Sequence, residues 1–210
     1  MLSTHELSCQ RGRQQLWGNL NLKVSPGELL FVKGANGNGK TSLLKILAGL
    51  LLPDNGQIMW QEQVITKDPY AYRAQLLYIG HQAALKPEMS AIENLIFLTN
   101  LHGLRFSETE ITKELKQWDL LGKTLHLPSR QLSQGQKQRV ALAQLNLSQQ
   151  QIWILDEPFN SLDATGAATL TQLLQNHLQA KGIIVLTSHL HEHGQDMTPP
   201  LEAVEQLLQL

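Results

Sequence analysis

A single cysteine, Cys9, stands in 210 residues, so no disulfide can close within the chain, and an unpaired thiol points to a reducing compartment. Aromatic residues make up only 5%, and no apolar run approaches the roughly 18 residues that a bilayer crossing requires. Even the longest runs, Ile183 to Leu186 among them, have the length of strands. The first residues carry His5, Glu6, Arg11 and Arg13 where an export signal would have an apolar centre, so the chain is expected to stay in the cytoplasm. An excess of either charge is missing too: 17 Lys and Arg meet 18 Asp and Glu, a formal −1, and this removes nucleic acid from the expected partners. So small a net charge gives little colloidal repulsion and suits a subunit of a complex. Leu and Gln are abundant but follow no fixed period, which excludes a solenoid. What is present, 42% hydrophobic and 17% charged residues, is enough for one globular domain with a full core.

Leu20 to Val24 alternates apolar and polar residues, Pro26-Gly27 marks a turn, and Leu29 to Val32 is a short apolar run, which reads as two strands with a tight connection. Helical spacing runs from Lys40 to Leu51, and Pro53-Asp54-Asn55-Gly56 is expected to stop that helix. Gln57 to Ile65 alternates again, and Leu76 to Ile79 reads as another strand. Between Glu88 and Leu127 the spacing is helical and strands are lacking, as in an inserted subdomain. Helices at Gln134 to Leu145 and Ala164 to Ala180 then alternate with strands at Ile152 to Leu155 and Ile183 to Thr187. Such alternation predicts an α/β fold with a mostly parallel sheet covered on both faces. The tail from Leu201, with Val204, Leu207 and Leu208, is spaced for a short helix.

Gly34-Ala35-Asn36-Gly37-Asn38-Gly39-Lys40-Thr41, continued by Ser42, fits the phosphate-loop pattern G-x-x-x-x-G-K-[ST] between a predicted strand and a predicted helix. Its glycines let backbone N–H groups converge on phosphate oxygens, and the helix N-terminus adds a favourable dipole. Lys40 supplies a point charge, and the Thr41 hydroxyl is placed to hold Mg²⁺. Asp156-Glu157, at the end of the Ile152 to Leu155 strand, is the acidic pair expected at the ligand crevice. Asp156 would meet Mg²⁺ through water, while Glu157 would polarise the attacking water.

Leu132-Ser133-Gln134-Gly135-Gln136 adds a second signature. With Gln82, Asp156-Glu157-Pro158, Ser161-Leu162-Asp163 and Thr187-Ser188-His189 in order, nearly the whole chain resembles the ATP-binding cassette (ABC) transporter ATPases. The resemblance implies a P-loop NTPase core over residues 1–210, with an antiparallel β subdomain and an α-helical subdomain inserted at about residues 83–135. It further implies ATP and Mg²⁺ as ligands and a homodimer in which Ser133, Gly135 and Gln136 close over the γ-phosphate held by the other subunit. By the same resemblance, Gln82 serves Mg²⁺, the attacking water and the membrane partner, His189 serves the γ-phosphate, and Asp163 communicates across the dimer.

Two positions depart from the pattern. Gln134 stands where the best-known signature has Gly, so a positive φ there would be strained, but Ser133 and Gly135 keep their roles and the substitution is expected to be tolerated. The aromatic residue that usually stacks on adenine is replaced by Arg11, whose planar guanidinium can stack on a base, with Trp17 as the other candidate.

Tyr78-Ile79-Gly80-His81-Gln82, Lys86, Ser90 and Glu93-Asn94-Leu95, with the short length, are similar to the haem-exporter cassettes of cytochrome c maturation. That implies small integral inner-membrane subunits as partners, peripheral attachment on the cytoplasmic side, and haem export or release of a haem chaperone as the work. The other readings are the ATPase of another small exporter and a soluble cassette acting on nucleic acid or ribosomes. The His189, His191 and His193 run has no Cys or acidic cluster beside it and reads as a polar loop. Leu85 and Met89 are the apolar residues expected to face a membrane partner.

Overall fold

The computed structural model describes residues 1–187 and 206–210. The chain opens with strands β1 (Leu2–Arg11), β2 (Gln14–Leu20) and β3 (Lys23–Val24), and then β4 (Leu29–Lys33) leads into helix α1 (Lys40–Leu47). Strands β5 (Asn55–Trp60) and β6 (Gln63–Val64), helix α2 (Pro69–Ala74) and strand β7 (Leu76–Ile79) follow. Helices α3 (Ala91–Leu101), α4 (Glu108–Gln117) and α5 (Gln134–Leu147) precede β8 (Ile152–Leu155), α6 (Ala164–Gln179), β9 (Ile183–Thr187) and β10 (Gln206–Gln209).

Two sheets form among the described residues. One is antiparallel, in the order β2-β1-β5-β6 with β3 also on β1. The other has the order β10-β4-β9-β8-β7, and its β10, β4, β9 and β8 run parallel. Strands β4, β8 and β9 have lost nearly all contact with water, as continuous Leu, Ile and Val runs in a covered parallel sheet require. Chain contacts divide the molecule into two compact units. The first holds Met1–Tyr78, Gln150–Glu157 and Leu174–Leu210, and the second Ile79–Gln149 and Pro158–Leu173.

In the first unit, Leu43, Leu44, Ile46 and Leu47 of α1 are buried in one core with Leu2, Leu7, Ile58, Leu30, Val32, Ile154 and Val185. Both sheets therefore close on the helix that follows the phosphate loop. That helix stops at Leu47, not at Leu51. Gly49 takes a φ of +66°, its N–H donates to the Ile46 carbonyl, and the Leu50 N–H reaches back to Lys45, a Schellman end that glycine permits. The strands on either side of Pro26-Gly27, β3 and β4, belong to different sheets, because β3 pairs with β1 whereas β4 pairs with β9 and β10.

The expected tail helix is a strand where it is described: Leu207 and Leu208 lie on β10, beside Phe31 and Val32 of β4. Their spacing suits either conformation, and the open edge of β4 decides it. Leu201 and Val204 lie outside the described residues.

In the second unit, α3, α4 and α5 each begin with a reciprocal capping box, Ser90 with Glu93, Ser107 with Glu110 and Ser133 with Gln136. Leu95, Ile111, Leu115 and Trp118 supply its buried apolar faces.

Candidate functional site

In the first unit the phosphate loop leaves β4 at Gly34 and enters α1 at Lys40, with Gly37 and Gly39 at φ of +88° and +89°. Those angles belong to the left-handed region, open to glycine at little cost. Ala35, Asn36 and Gly37 are exposed, while Lys40 and Ser42 are buried. Lys40 Nζ donates to the carbonyls of Gly34 at 2.7 Å and Ala35 at 3.2 Å. An ammonium has three N–H donors, so two fix the side chain across the loop and the third can meet a phosphate. On the other side of the loop the Asn38 amide donates to the Leu210 carbonyl at 2.9 Å, and the Leu210 N–H donates to Lys33 at 2.9 Å, tying the loop to the end of β10.

The acidic pair lies at the top of β8. Thr41 Oγ1 donates to Asp156 Oδ2 at 2.8 Å, and Thr187 Oγ1, at the end of β9, donates to Asp156 Oδ1 at 2.8 Å. The same Thr187 oxygen accepts the Glu157 N–H at 2.9 Å. Glu157 is buried with a φ of +55°, an uncommon conformation for a residue with a side chain, and Thr187 holds its peptide there. Neighbouring Tyr78 has its hydroxyl pKa pushed up to about 12, first by burial and then by the Asp156 charge, so it stays protonated.

Thr41 and Asp156 thus bring a hydroxyl and a carboxylate together, hard oxygen donors of the kind Mg²⁺ takes when phosphates and water complete its shell. Among the described residues no group of three His, Cys, Asp or Glu could hold a metal by itself.

The second unit carries the remaining residues. Ser133 caps α5: its Oγ accepts the Gln136 N–H at 3.2 Å, and its own N–H donates to Gln136 Oε1 at 2.9 Å. Gly135 lies so close to the next loop that an added Cβ would fall 2.7 Å from the Ser161 carbonyl. Gln134 is the first helical residue of α5 and has no positive φ, so the residue is accommodated there without backbone strain. Asp163 accepts the Gly166 N–H at 2.9 Å and pairs with Arg139 at 2.5 Å. The Gly166 N–H and then Arg139 hold its carboxyl below the usual carboxylate range.

Gln82 is exposed and lines a groove with Leu85, Ser129, Arg130, Gln134 and Lys137. Leu85 and Met89 are half-buried. Arg11 is exposed at the end of β1, and Trp17 is only 8% exposed. His189, His191 and His193 lie outside the described residues.

Thr187 is the participant that sequence reasoning left without a role. Its bond to both acidic residues depends on β8 and β9 being neighbours, which residue spacing does not state.

Residues 17–160 match the ABC transporter family, and the chain belongs to it. Within that class, the chain is 45% identical over 188 residues to the cytochrome c biogenesis ATP-binding export protein CcmA of Histophilus somni, covering 90% of this chain and 86% of that one. It is 43% identical over 189 residues to the protein of the same name from Nitrosomonas europaea, covering 90% and 88%. A solved dimeric ATP-binding cassette in a post-hydrolysis state, bound to ADP and Pi, superposes with a TM-score of 0.78 at 24% identity, covering 90% of this chain and 88% of that one.

Proposed function

We propose that the protein is the Mg²⁺-dependent ATPase subunit of an inner-membrane complex of cytochrome c biogenesis, exporting haem or driving release of a haem chaperone. The observation that carries the ATPase reading is the hydrogen-bonded chain from Thr41 through Asp156 and Thr187 to Glu157, beside a Lys40 already held across the phosphate loop. Lys40, the loop N–H groups from Gly34 to Ser42 and the α1 N-terminus take the β- and γ-phosphates. Thr41 holds Mg²⁺, with Asp156 and Gln82 acting through its water; bound there, the ion neutralises charge on the phosphates. Glu157 accepts a hydrogen bond from the attacking water and orients it.

Two subunits pack head to tail. The partner's N-terminus of α5 then meets the γ-phosphate: Ser133 Oγ accepts from Gln136 and keeps its own proton to donate. His189 contacts the same phosphate, Asp163 links the two sites, and Arg11 lies on the adenine. Leu85 and Met89, near Gln82, face a membrane subunit, which fits a chain in which no described helix is long and apolar enough to cross a membrane itself. The cargo reading rests on the likeness to the cytochrome c biogenesis export proteins.

The test is complementation of a bacterial strain lacking its own haem-exporter ATPase, read by haem staining of c-type cytochromes. The unaltered chain should restore staining, and Glu157→Gln should bind ATP but neither hydrolyse it nor restore staining. Near-normal turnover by Glu157→Gln would overturn its assigned role. A stable, membrane-bound chain that hydrolyses ATP without restoring staining would move the cargo to another small exporter.

A further inference from the structure

The β1–β2 hairpin contributes something to the phosphate loop that the motifs do not contain. Leu16 and Trp17 of β2 close directly on Gly39, the residue that ends the loop: an added Cβ at Gly39 would lie 2.8 Å from Trp17 Nε1 and 2.9 Å from Leu16 Cδ1. Trp17 is more than nine-tenths buried, and its indole N–H has no hydrogen-bond acceptor among the described residues. Buried donors are nearly always paired, so an exception beside a binding site calls for an explanation, and an acceptor that arrives with the ligand is one. The pairing of β1 with β2 is irregular on both sides of the Cys9–Trp17 pair, between Leu7 and Cys9 and between Cys9 and Gln10. Such irregularities re-aim a side chain, here the indole toward the loop.

We propose that the Trp17 indole N–H is a binding-site donor to an oxygen of the nucleotide's phosphate chain, making strand β2 a third wall of the site beside the loop and the top of β8. The proposal rests on the loop being the nucleotide site. It also gives Trp17 a place: the ring is packed too deeply to stack on a base, while its edge abuts the peptide next to Lys40. A neutral N–H facing a phosphate makes a charge-assisted hydrogen bond, and phenylalanine fills most of the ring volume without offering a donor.

The experiment uses the full chain labelled with ¹⁵N, in which four tryptophans give four indole N–H signals. The signal missing from Trp17→Phe is that of Trp17; should this variant not fold, Trp60→Phe, Trp118→Phe and Trp153→Phe assign it by elimination. The Trp17 signal should move downfield on saturation with MgADP and also with pyrophosphate, and should stay in place with adenosine. Trp17→Phe should bind MgADP about tenfold more weakly by calorimetry, the loss of one such hydrogen bond. Lys40→Ala tests the underlying reading separately: if it binds MgADP normally, the loop is not the site. If Lys40→Ala loses binding while Trp17→Phe keeps full affinity, or the Trp17 signal does not move, the indole is not a donor to the ligand and this proposal falls alone. A shift with ADP but not with pyrophosphate would put the acceptor on the nucleoside and overturn the phosphate assignment.

Discussion

Thr187 has almost no freedom to be anything else. Its hydroxyl donates to Asp156 Oδ1 and accepts the Glu157 N–H, and the residue is fully buried. Thr187→Val keeps the shape and removes both bonds, the one to Asp156 Oδ1 and the one from the Glu157 N–H. Leaving a buried group unpaired costs about 1–3 kcal/mol, so urea unfolding should place this variant at least that far below the unaltered chain. Hydrolysis should fall more than nucleotide binding does, because the Glu157 peptide loses its anchor while the phosphate loop keeps Lys40. Thr187→Ser should recover most of both, and a Thr187→Val chain of unaltered stability would refute the account. The contrast with Lys40 explains what was legible at this scale. A phosphate loop is a local object, eight consecutive residues whose glycines and lysine announce their geometry. The Thr187 role and the Trp17 contact join residues that are distant along the chain, and no spacing rule connects them. Gln134 is tolerated because the position is the first turn of a helix, where an ordinary φ suffices.

Helix α6 carries a half-buried histidine that makes stability depend on pH. His177, near its C-terminal end, stacks on Trp153 of β8 with ring centroids 3.7 Å apart and planes 6° from parallel. Burial lowers its pKa to about 4, against a partial opposing effect of hydrogen bonds to Gln151 and Ile183. The unfolded chain, with an ordinary histidine, takes up a proton that the folded chain refuses. Stability is therefore complete above about pH 6.5, falls as the pH drops through the interval down to about 4, and levels off below it. At pH 5 the loss attributable to this group is on the order of 2 kcal/mol. The measurement is the midpoint of urea unfolding at pH 7.5, 6 and 5 for the unaltered chain and for His177→Gln. The variant, less stable at neutral pH, should show a clearly flatter decline between pH 6.5 and 5; parallel curves would remove His177 as the cause. Elements themselves were readable where a short continuous apolar run declares a covered strand, as in β8 and β9. They were misread where the deciding partner is elsewhere: α1 ends on the Gly49 conformation, and β10 is a strand because the edge of β4 accepts it.

At the scale of the whole molecule, the residues proposed for the ATPase site divide between the two compact units: the phosphate loop, Asp156 and Glu157 in the first, Ser133, Gly135 and Asp163 in the second. If the site is completed by a second subunit, defects in the two parts must complement each other between chains, because each subunit lends one part and borrows the other. Lys40→Ala removes the phosphate-loop charge, and Ser133→Arg puts a bulky cation at the start of α5; each variant alone should be inactive. In an equimolar mixture, half of the dimers are mixed, and each of these pairs the intact loop of one chain with the intact α5 start of the other. One of its two sites is then whole and the other doubly defective, so the mixture should recover about a quarter of the unaltered ATPase rate if the sites act independently. A signature that acted within its own chain would give no recovery, since no single chain in the mixture has both parts. Recovery should appear only where dimers can exchange, so a mixture of chains crosslinked beforehand as like pairs should stay inactive, and this separates true completion of the site from slow repair of either variant.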